Sequence, residues 1–293
     1  MGADWNFESA VGSTPIVRLV NISRTYGHEM FGKLETVNPT GSHKDRESAE
    51  ILKDAHAKGF HEIGCASTGN AAISLSAFCR MAQLKCHIYV SRDIWPEKLA
   101  LIEAFGPVIH RVSGGYEQAI EQSGIELQER AAYIANPGIC PAKVAGNSNI
   151  GTEIASVLQP EYVVCPTNNG THLAGVWKGL KESGKRPRMV AATAESTTVA
   201  DSIQGFHKLE ESALNEAIKE SSGLVVNVTD AEIRAALLLL LRDGVIAEPA
   251  AAAGVAAVRY LKAEPQARIC CTITGSGLKF PRILARILRE SST

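Results

Sequence analysis

The sequence predicts an α/β protein of two doubly wound domains with mainly parallel sheets. Short β-branched or aliphatic runs alternate with longer amphipathic segments from about residue 30 onward, which is the pattern of parallel strands covered by helices. The chain has 293 residues, more than one typical domain. Apolar residues make up 45% and charged residues 21%, enough to build sizeable cores without long disorder.

In chain order the predicted strands are Met30–Leu34, Glu62–Cys65, Cys86–Val90, Val108–Val112, Tyr162–Cys165, Met189–Thr193, Val225–Val228 and Ile269–Thr274. Helix punctuation falls between them. Pro96 sits where a first helical turn begins, and Gly106 follows Phe105 where that helix should stop. Thr229-Asp230-Ala231-Glu232 has capping-box spacing ahead of the apolar Ile233–Leu241 stretch. Asn136-Pro137-Gly138 to Gly146-Asn147 is the best candidate boundary, giving domains of residues 1–145 and 146–293, with the earliest residues able to cross to the second. In such sheets ligands gather beyond the carboxyl ends of the strands, so a cleft between the two domains is the expected site.

Composition removes several function classes. The formal net charge is −1, with both signs interspersed and no basic stripe, so nucleic acid is a poor partner. The seven cysteines include no CxxC pair, which argues against a disulfide framework or a four-thiolate zinc site and for reduced, buried thiols in the cytosol. The start, MGADWNFESA, lacks the basic and apolar regions of a signal peptide, and Asn6 replaces the Ser or Thr of a myristoylation site. The longest aliphatic run, Leu237–Leu241, is far too short to span a bilayer.

Chemistry concentrates where strands run into helices. Asn38-Pro39-Thr40-Gly41-Ser42-His43-Lys44-Asp45-Arg46 places a lone lysine behind turn-formers at the mouth of a helix. Positive helix-end potential and partial desolvation lower the basicity of such an amine, as a Schiff-base lysine requires; by itself the position also suits a solvated surface lysine. Cys65-Ala66-Ser67-Thr68-Gly69-Asn70 offers hydroxyls, a glycine and free helix amides, a small carboxylate cradle, although ordinary N-capping by Ser or Thr uses the same residues. Pro166-Thr167-Asn168-Asn169-Gly170-Thr171-His172 is a polar turn able to hold a phosphate, without the spacing of a P-loop or a dinucleotide fold. Thr272-Ile273-Thr274-Gly275-Ser276-Gly277-Leu278-Lys279 closes the last strand with small hydroxyl residues, or forms a plain glycine turn.

Taken together, in this order and spacing, these segments resemble the fold-type II pyridoxal 5′-phosphate (PLP) enzymes, the tryptophan synthase beta-like family. PTGSHKDR resembles the lysine motif and ASTGN the substrate-carboxylate loop, while EPAAAAGVAAV (Glu248–Val258) followed by TGSGLK is most similar to threonine synthase-like members. The likeness runs from about Ser13-Thr14-Pro15-Ile16 to Pro281. It implies PLP in the interdomain cleft, carried as a Schiff base on Lys44, which is also the catalytic base. It further implies that Asn70 bonds the pyridoxal hydroxyl and that Ser67, Thr68 and Gly69, with Asn70, bind the substrate carboxylate. Asn168, Asn169, Gly170, Thr171 and His172 would surround the cofactor phosphate, and Thr274, or failing it Ser276, would face the pyridine nitrogen. A hydroxyl there suits elimination and replacement over transamination.

The implied function is lyase chemistry on a small amino acid, O-phosphohomoserine to threonine plus phosphate. The alternatives are a serine/threonine dehydratase or a cysteine synthase-type β-replacement enzyme, and more distantly an inactive binding protein of the same fold. A homodimer follows from the resemblance alone. The sequence departs from the family's pattern at Asn168 and Thr171, where relatives usually carry glycine, and at Glu47, where threonine synthases usually have glycine. His43 could face the cleft or serve structure; His87, His110 and His207 show no metal-ligand spacing and read as ordinary. Glu97, Lys98 and Lys143 could line the cleft, but nothing in the sequence selects them over solvent-facing roles.

Overall fold

The computed structural model describes residues 8–290 apart from 206 and 208. Its strands are β1 (Ile16–Arg18), β2 (Glu29–Leu34), β3 (Glu62–Ala66), β4 (Lys85–Ser91), β5 (Val108–Val112), β6 (Tyr133–Ile134), β7 (Tyr162–Pro166), β8 (Arg188–Thr193), β9 (Leu224–Asn227) and β10 (Arg268–Ile273). The helices are α1 (Val20–Tyr26), α2 (Lys44–Ala57), α3 (Asn70–Met81), α4 (Pro96–Glu103), α5 (Tyr116–Glu129), α6 (Pro141–Val157), α7 (Thr171–Glu182), α8 (Glu211–Glu220), α9 (Asp230–Arg242), α10 (Pro249–Ala257) and α11 (Pro281–Glu290). Every strand expected from the aliphatic runs is present, with ends displaced by a residue or so; Thr274 falls just past β10 instead of closing it. The short β1 and β6 carry too few residues to show a period, which is why the sequence pattern omits them. The stretch expected as the boundary is helical from Pro141 onward.

The chain forms two compact units. One is built on Asn38–Gly146 and contains a four-stranded parallel sheet in the order β5-β4-β3-β6. Its core includes Ala66, Tyr89, Val112, Ala119, Leu127 and Ala132, which join the sheet to α5. Gly64 on β3 has to be glycine: an added Cβ would lie 2.4 Å from Leu127 Cδ2 and 2.8 Å from the His87 carbonyl. The other unit holds Gly12–Val37 and the chain from Asn147 onward, around a six-stranded sheet in the order β1-β2-β10-β7-β8-β9. Only β1 is antiparallel to its neighbour there.

Burial explains the composition of the second sheet. All five residues of β7 are buried, so it reads as a continuous apolar run and not as an alternating one. Each residue of Ala250–Ala257 is buried as well, and α10 packs on α9, β7 and β10. A helix apolar on every side belongs inside the core, and small side chains let it approach the sheet closely. Local signals work as the sequence suggests. Pro96 starts α4, Gly106 adopts φ +72° two residues beyond its C-cap, and Thr229 with Glu232 forms the reciprocal capping box of α9. Among the described residues no helix is long and apolar enough to cross a membrane.

Candidate active site

In the first unit Lys44 is the opening residue of α2. The preceding loop is fixed by Asp45, whose buried carboxylate accepts from the Thr40 amide (2.6 Å) and the Thr40 hydroxyl (2.5 Å). Gly41, at φ +77°, donates its N–H to the Asn38 carbonyl at 2.7 Å and turns the chain into the helix. The Lys44 side chain is 16% exposed, and its Nζ pairs with Oε1 of Glu47, one turn along. The other carboxylate oxygen of Glu47 lies 2.8 Å from Nζ of Lys143 on α6.

The electrostatics follow from burial. Desolvation lowers the Lys44 basicity, partly opposed by Glu47 and reinforced by Lys143. Burial works against the Glu47 carboxylate, but Lys143 and then Lys44 outweigh it and hold it well below the usual carboxylate range. Burial also works to lower Lys143, and Glu47 overcomes it, so Lys143 stays firmly charged. The nearby Cys65 thiol is pushed up to about 12 by desolvation and is neutral.

The segment Ser67-Thr68-Gly69-Asn70 leaves β3 and enters α3 in the same unit. Ser67, Thr68 and Gly69 are half-buried and Asn70 is buried. The N-cap is Gly69, which supplies no side chain to the helix amides, so the Ser/Thr capping that the sequence allows is not used on α3. The Ser67 hydroxyl accepts from the Gly69 amide at 3.2 Å. A Cβ placed on Gly69 would meet no atom within 4 Å, which leaves room beside the helix start.

In the second unit the loop after β7 leads into α7 through Gly170, at φ +93°. The Thr171 hydroxyl is fully buried and has no hydrogen-bond partner in the protein, while its amide donates to Asn169 Oδ1 at 3.1 Å. An orphaned donor at the start of a twelve-residue helix, behind a left-handed glycine, fits a bound phosphate. Asn168 is directed elsewhere: its Nδ2 donates to the carbonyls of Ser202 (3.2 Å) and Gln204 (3.3 Å), and its Oδ1 accepts from the His207 amide (2.8 Å). His172 is buried with one ring nitrogen 2.9 Å from Asn147 Oδ1 and the other 2.9 Å from Thr272 Oγ1, so both are spent on the fold.

The last loop follows β10, the neighbour of β7. Thr274 and Ser276 are both buried there, and the Ser276 hydroxyl accepts from the Leu278 amide at 3.3 Å. Gly275 lies against the buried Glu248, which donates its own N–H to the Gly275 carbonyl at 2.9 Å. Ser67–Asn70 follow β3, Asn168–His172 follow β7 and Thr274–Ser276 follow β10, while Lys44 heads α2. Ser42 adds a second orphaned buried hydroxyl, two residues from Lys44. The desolvated amine of the first unit suits an aldehyde, and the orphaned hydroxyl at the head of α7 in the second suits a phosphate.

The family described as pyridoxal-phosphate dependent enzyme matches residues 7–275. This chain belongs to that family. The cofactor of this pyridoxal-phosphate dependent enzyme is therefore PLP. It is 32% identical to a threonine synthase of Bacillus sp. (strain ULM1), over 93% of this chain and 84% of that protein. It is 30% identical to a threonine synthase of Methanocaldococcus jannaschii, over 95% and 78% of the two chains. The solved structure of maize serine racemase superposes with a TM-score of 0.83 at 18% identity, covering 98% of this chain and 96% of that one, a likeness of fold alone.

Sequence reasoning named Lys143 but found no local signal to select it, and it missed the tie of Asn168 to Ser202, Gln204 and His207. It also read His87 and His110 as ordinary, whereas their rings meet at 3.0 Å, with His87 also 2.8 Å from Glu62. Only the alternation of β4 and β5, adjacent in the sheet, could have hinted at that pair.

Proposed function

We propose that this enzyme is a threonine synthase-like lyase that converts O-phosphohomoserine and water into threonine and phosphate, with Lys44 as its cofactor-bearing and proton-transferring residue. The observation that carries the proposal is the desolvated Lys44 amine at the head of α2. The two threonine synthases matched over nearly the whole chain support the choice of reaction.

When bound, PLP supplies an electron sink that stabilises negative charge at the α-carbon of an amino acid. Ser67, Thr68, Gly69 and Asn70 bind the substrate carboxylate through hydroxyls and the uncapped amides of α3. Asn70 would also donate to the cofactor's ring hydroxyl. The backbone of Asn168, Asn169 and Gly170, with the Thr171 hydroxyl, would hold the phosphate of the cofactor, and Thr274 or Ser276 would lie toward its ring nitrogen. His172 serves this loop by fixing the start of α7 between Asn147 and Thr272. Lys44 Nζ, available as the neutral amine because burial disfavours its charged form, takes the substrate α-proton. Removal of a β-proton then lets the γ-phosphate depart, a proton is delivered to the γ-carbon, water adds its hydroxyl at the β-carbon, and Lys44 returns a proton to the α-carbon. A cytoplasmic homodimer is the assembly we assign to it.

Incubation of the PLP-loaded protein with O-phosphohomoserine tests this reading. Threonine and phosphate should appear in equal amounts, and Lys44→Ala should abolish both. Release of a 2-oxo acid from serine or threonine, with O-phosphohomoserine untouched, would reject it in favour of a dehydratase.

A further inference from the structure

We infer that Glu47 and Lys143 form a buried positioning pair that sets the charge and direction of the Lys44 amine. The inference rests on the reading that Lys44 carries the cofactor, and it assigns roles to two residues outside that reading. Three charged side chains meet in a nearly dry space: Glu47 is 1% exposed, Lys143 5% and Lys44 16%. One carboxylate serves two amines, Oε1 toward Lys44 and Oε2 toward Lys143. Because Lys44 and Glu47 sit one turn apart on α2 while Lys143 arrives from α6, the carboxylate is clamped from a second element. It therefore holds Lys44 along a fixed line from the head of the helix.

His43 Nε2 approaches Glu47 Oε1 to 3.9 Å from the preceding turn. Cys65, near the end of β3, and Cys140, just before α6, also lie beside the pair, and burial keeps the Cys65 thiol neutral. Asp45 is turned toward Thr40, and the Ser48 and Ser74 hydroxyls bond each other at 2.7 Å. A neutral residue at position 47 would leave two buried ammonium groups facing one another, an arrangement low-dielectric surroundings do not tolerate. Glu47 favours a proton on Lys44, Lys143 disfavours it, and the nearer Glu47 is the stronger influence.

Opposite consequences follow for two variants. Lys143→Met removes the repulsive charge and leaves Glu47 to Lys44 alone, so the Lys44 amine should require a higher pH to react. The pair Glu47→Gln with Lys143→Met removes both influences without leaving a second buried ammonium beside Lys44, and the amine should react at lower pH. Limited methylation of the full chain, freed of cofactor, with formaldehyde and cyanoborohydride reads this directly, residue by residue, by mass spectrometry across a pH series. Each midpoint should move by at least about one pH unit, or roughly tenfold in rate at a fixed pH below it. Lys44 midpoints that stay put in both variants, or move the same way, would overturn the positioning role. A separate reaction with PLP and borohydride reports on the reading beneath it. Attachment missing from Lys44 in the unaltered protein removes both ideas, whereas attachment at Lys44 with unmoved midpoints removes only the pair.

Discussion

Replacing Thr171 by valine should stabilise the cofactor-free protein and weaken its hold on PLP. The two side chains are nearly the same shape, so the substitution removes a hydroxyl and little else. That hydroxyl is fully buried and unpartnered in the protein, and an unsatisfied buried group costs about 1–3 kcal/mol. Thr171→Val should recover part of that penalty, raising the unfolding free energy of the cofactor-free chain by about 1 kcal/mol. With the phosphate in place the same hydroxyl makes a hydrogen bond to a charged group, of about 1.5–3 kcal/mol. The Kd for PLP should therefore rise by about ten- to a hundredfold. Urea denaturation without cofactor and an absorbance titration with PLP measure the two sides. A variant that is less stable without cofactor, yet binds PLP as before, would refute the assignment of Thr171 to the phosphate.

Gly275→Ala would place a Cβ 2.3 Å from Glu248 Oε1 and 2.5 Å from its Cδ. Displacing that buried carboxylate should cost about 1–3 kcal/mol in urea denaturation, as overpacked cores do. His110 is held below its ordinary value by burial and then by His87, so the unfolded chain takes up a proton before the folded one. Its contribution to stability is present above about pH 6.5 and is lost as pH falls through the lower folded value; unfolding midpoints across that range should decline less in His110→Gln. Thr229→Ala removes the side-chain cap that the Glu232 amide reaches at 3.4 Å, and should lower stability by about 1 kcal/mol without changing PLP binding.

Much of the fold was legible because its cause is local. A buried parallel strand such as Tyr162–Pro166 needs an unbroken apolar run, and that run is visible whatever surrounds it. The start of α4 at Pro96 and of α9 at Thr229 likewise depends on backbone geometry within a few residues. Lys44, the Ser67–Asn70 turn and the Asn168–His172 loop stood out for the same reason, each being a polar break between a strand and a helix.

What the sequence alone determined, then, is where the chain extends, coils and turns, and which polar breaks lie at strand carboxyl ends, because those follow from side-chain shape and spacing along the backbone. Tertiary structure decided which charges meet. Lys143 becomes the partner of Glu47 only when α6 lies against α2, and His172 reaches Thr272 across a separation of 100 residues. The direction in which Asn168 points is likewise decided by Ser202, Gln204 and His207, more than thirty residues away in sequence. The strength of an ion pair and the basicity of an amine depend on distance and on water excluded by distant segments, and neither is written in the residues next to it.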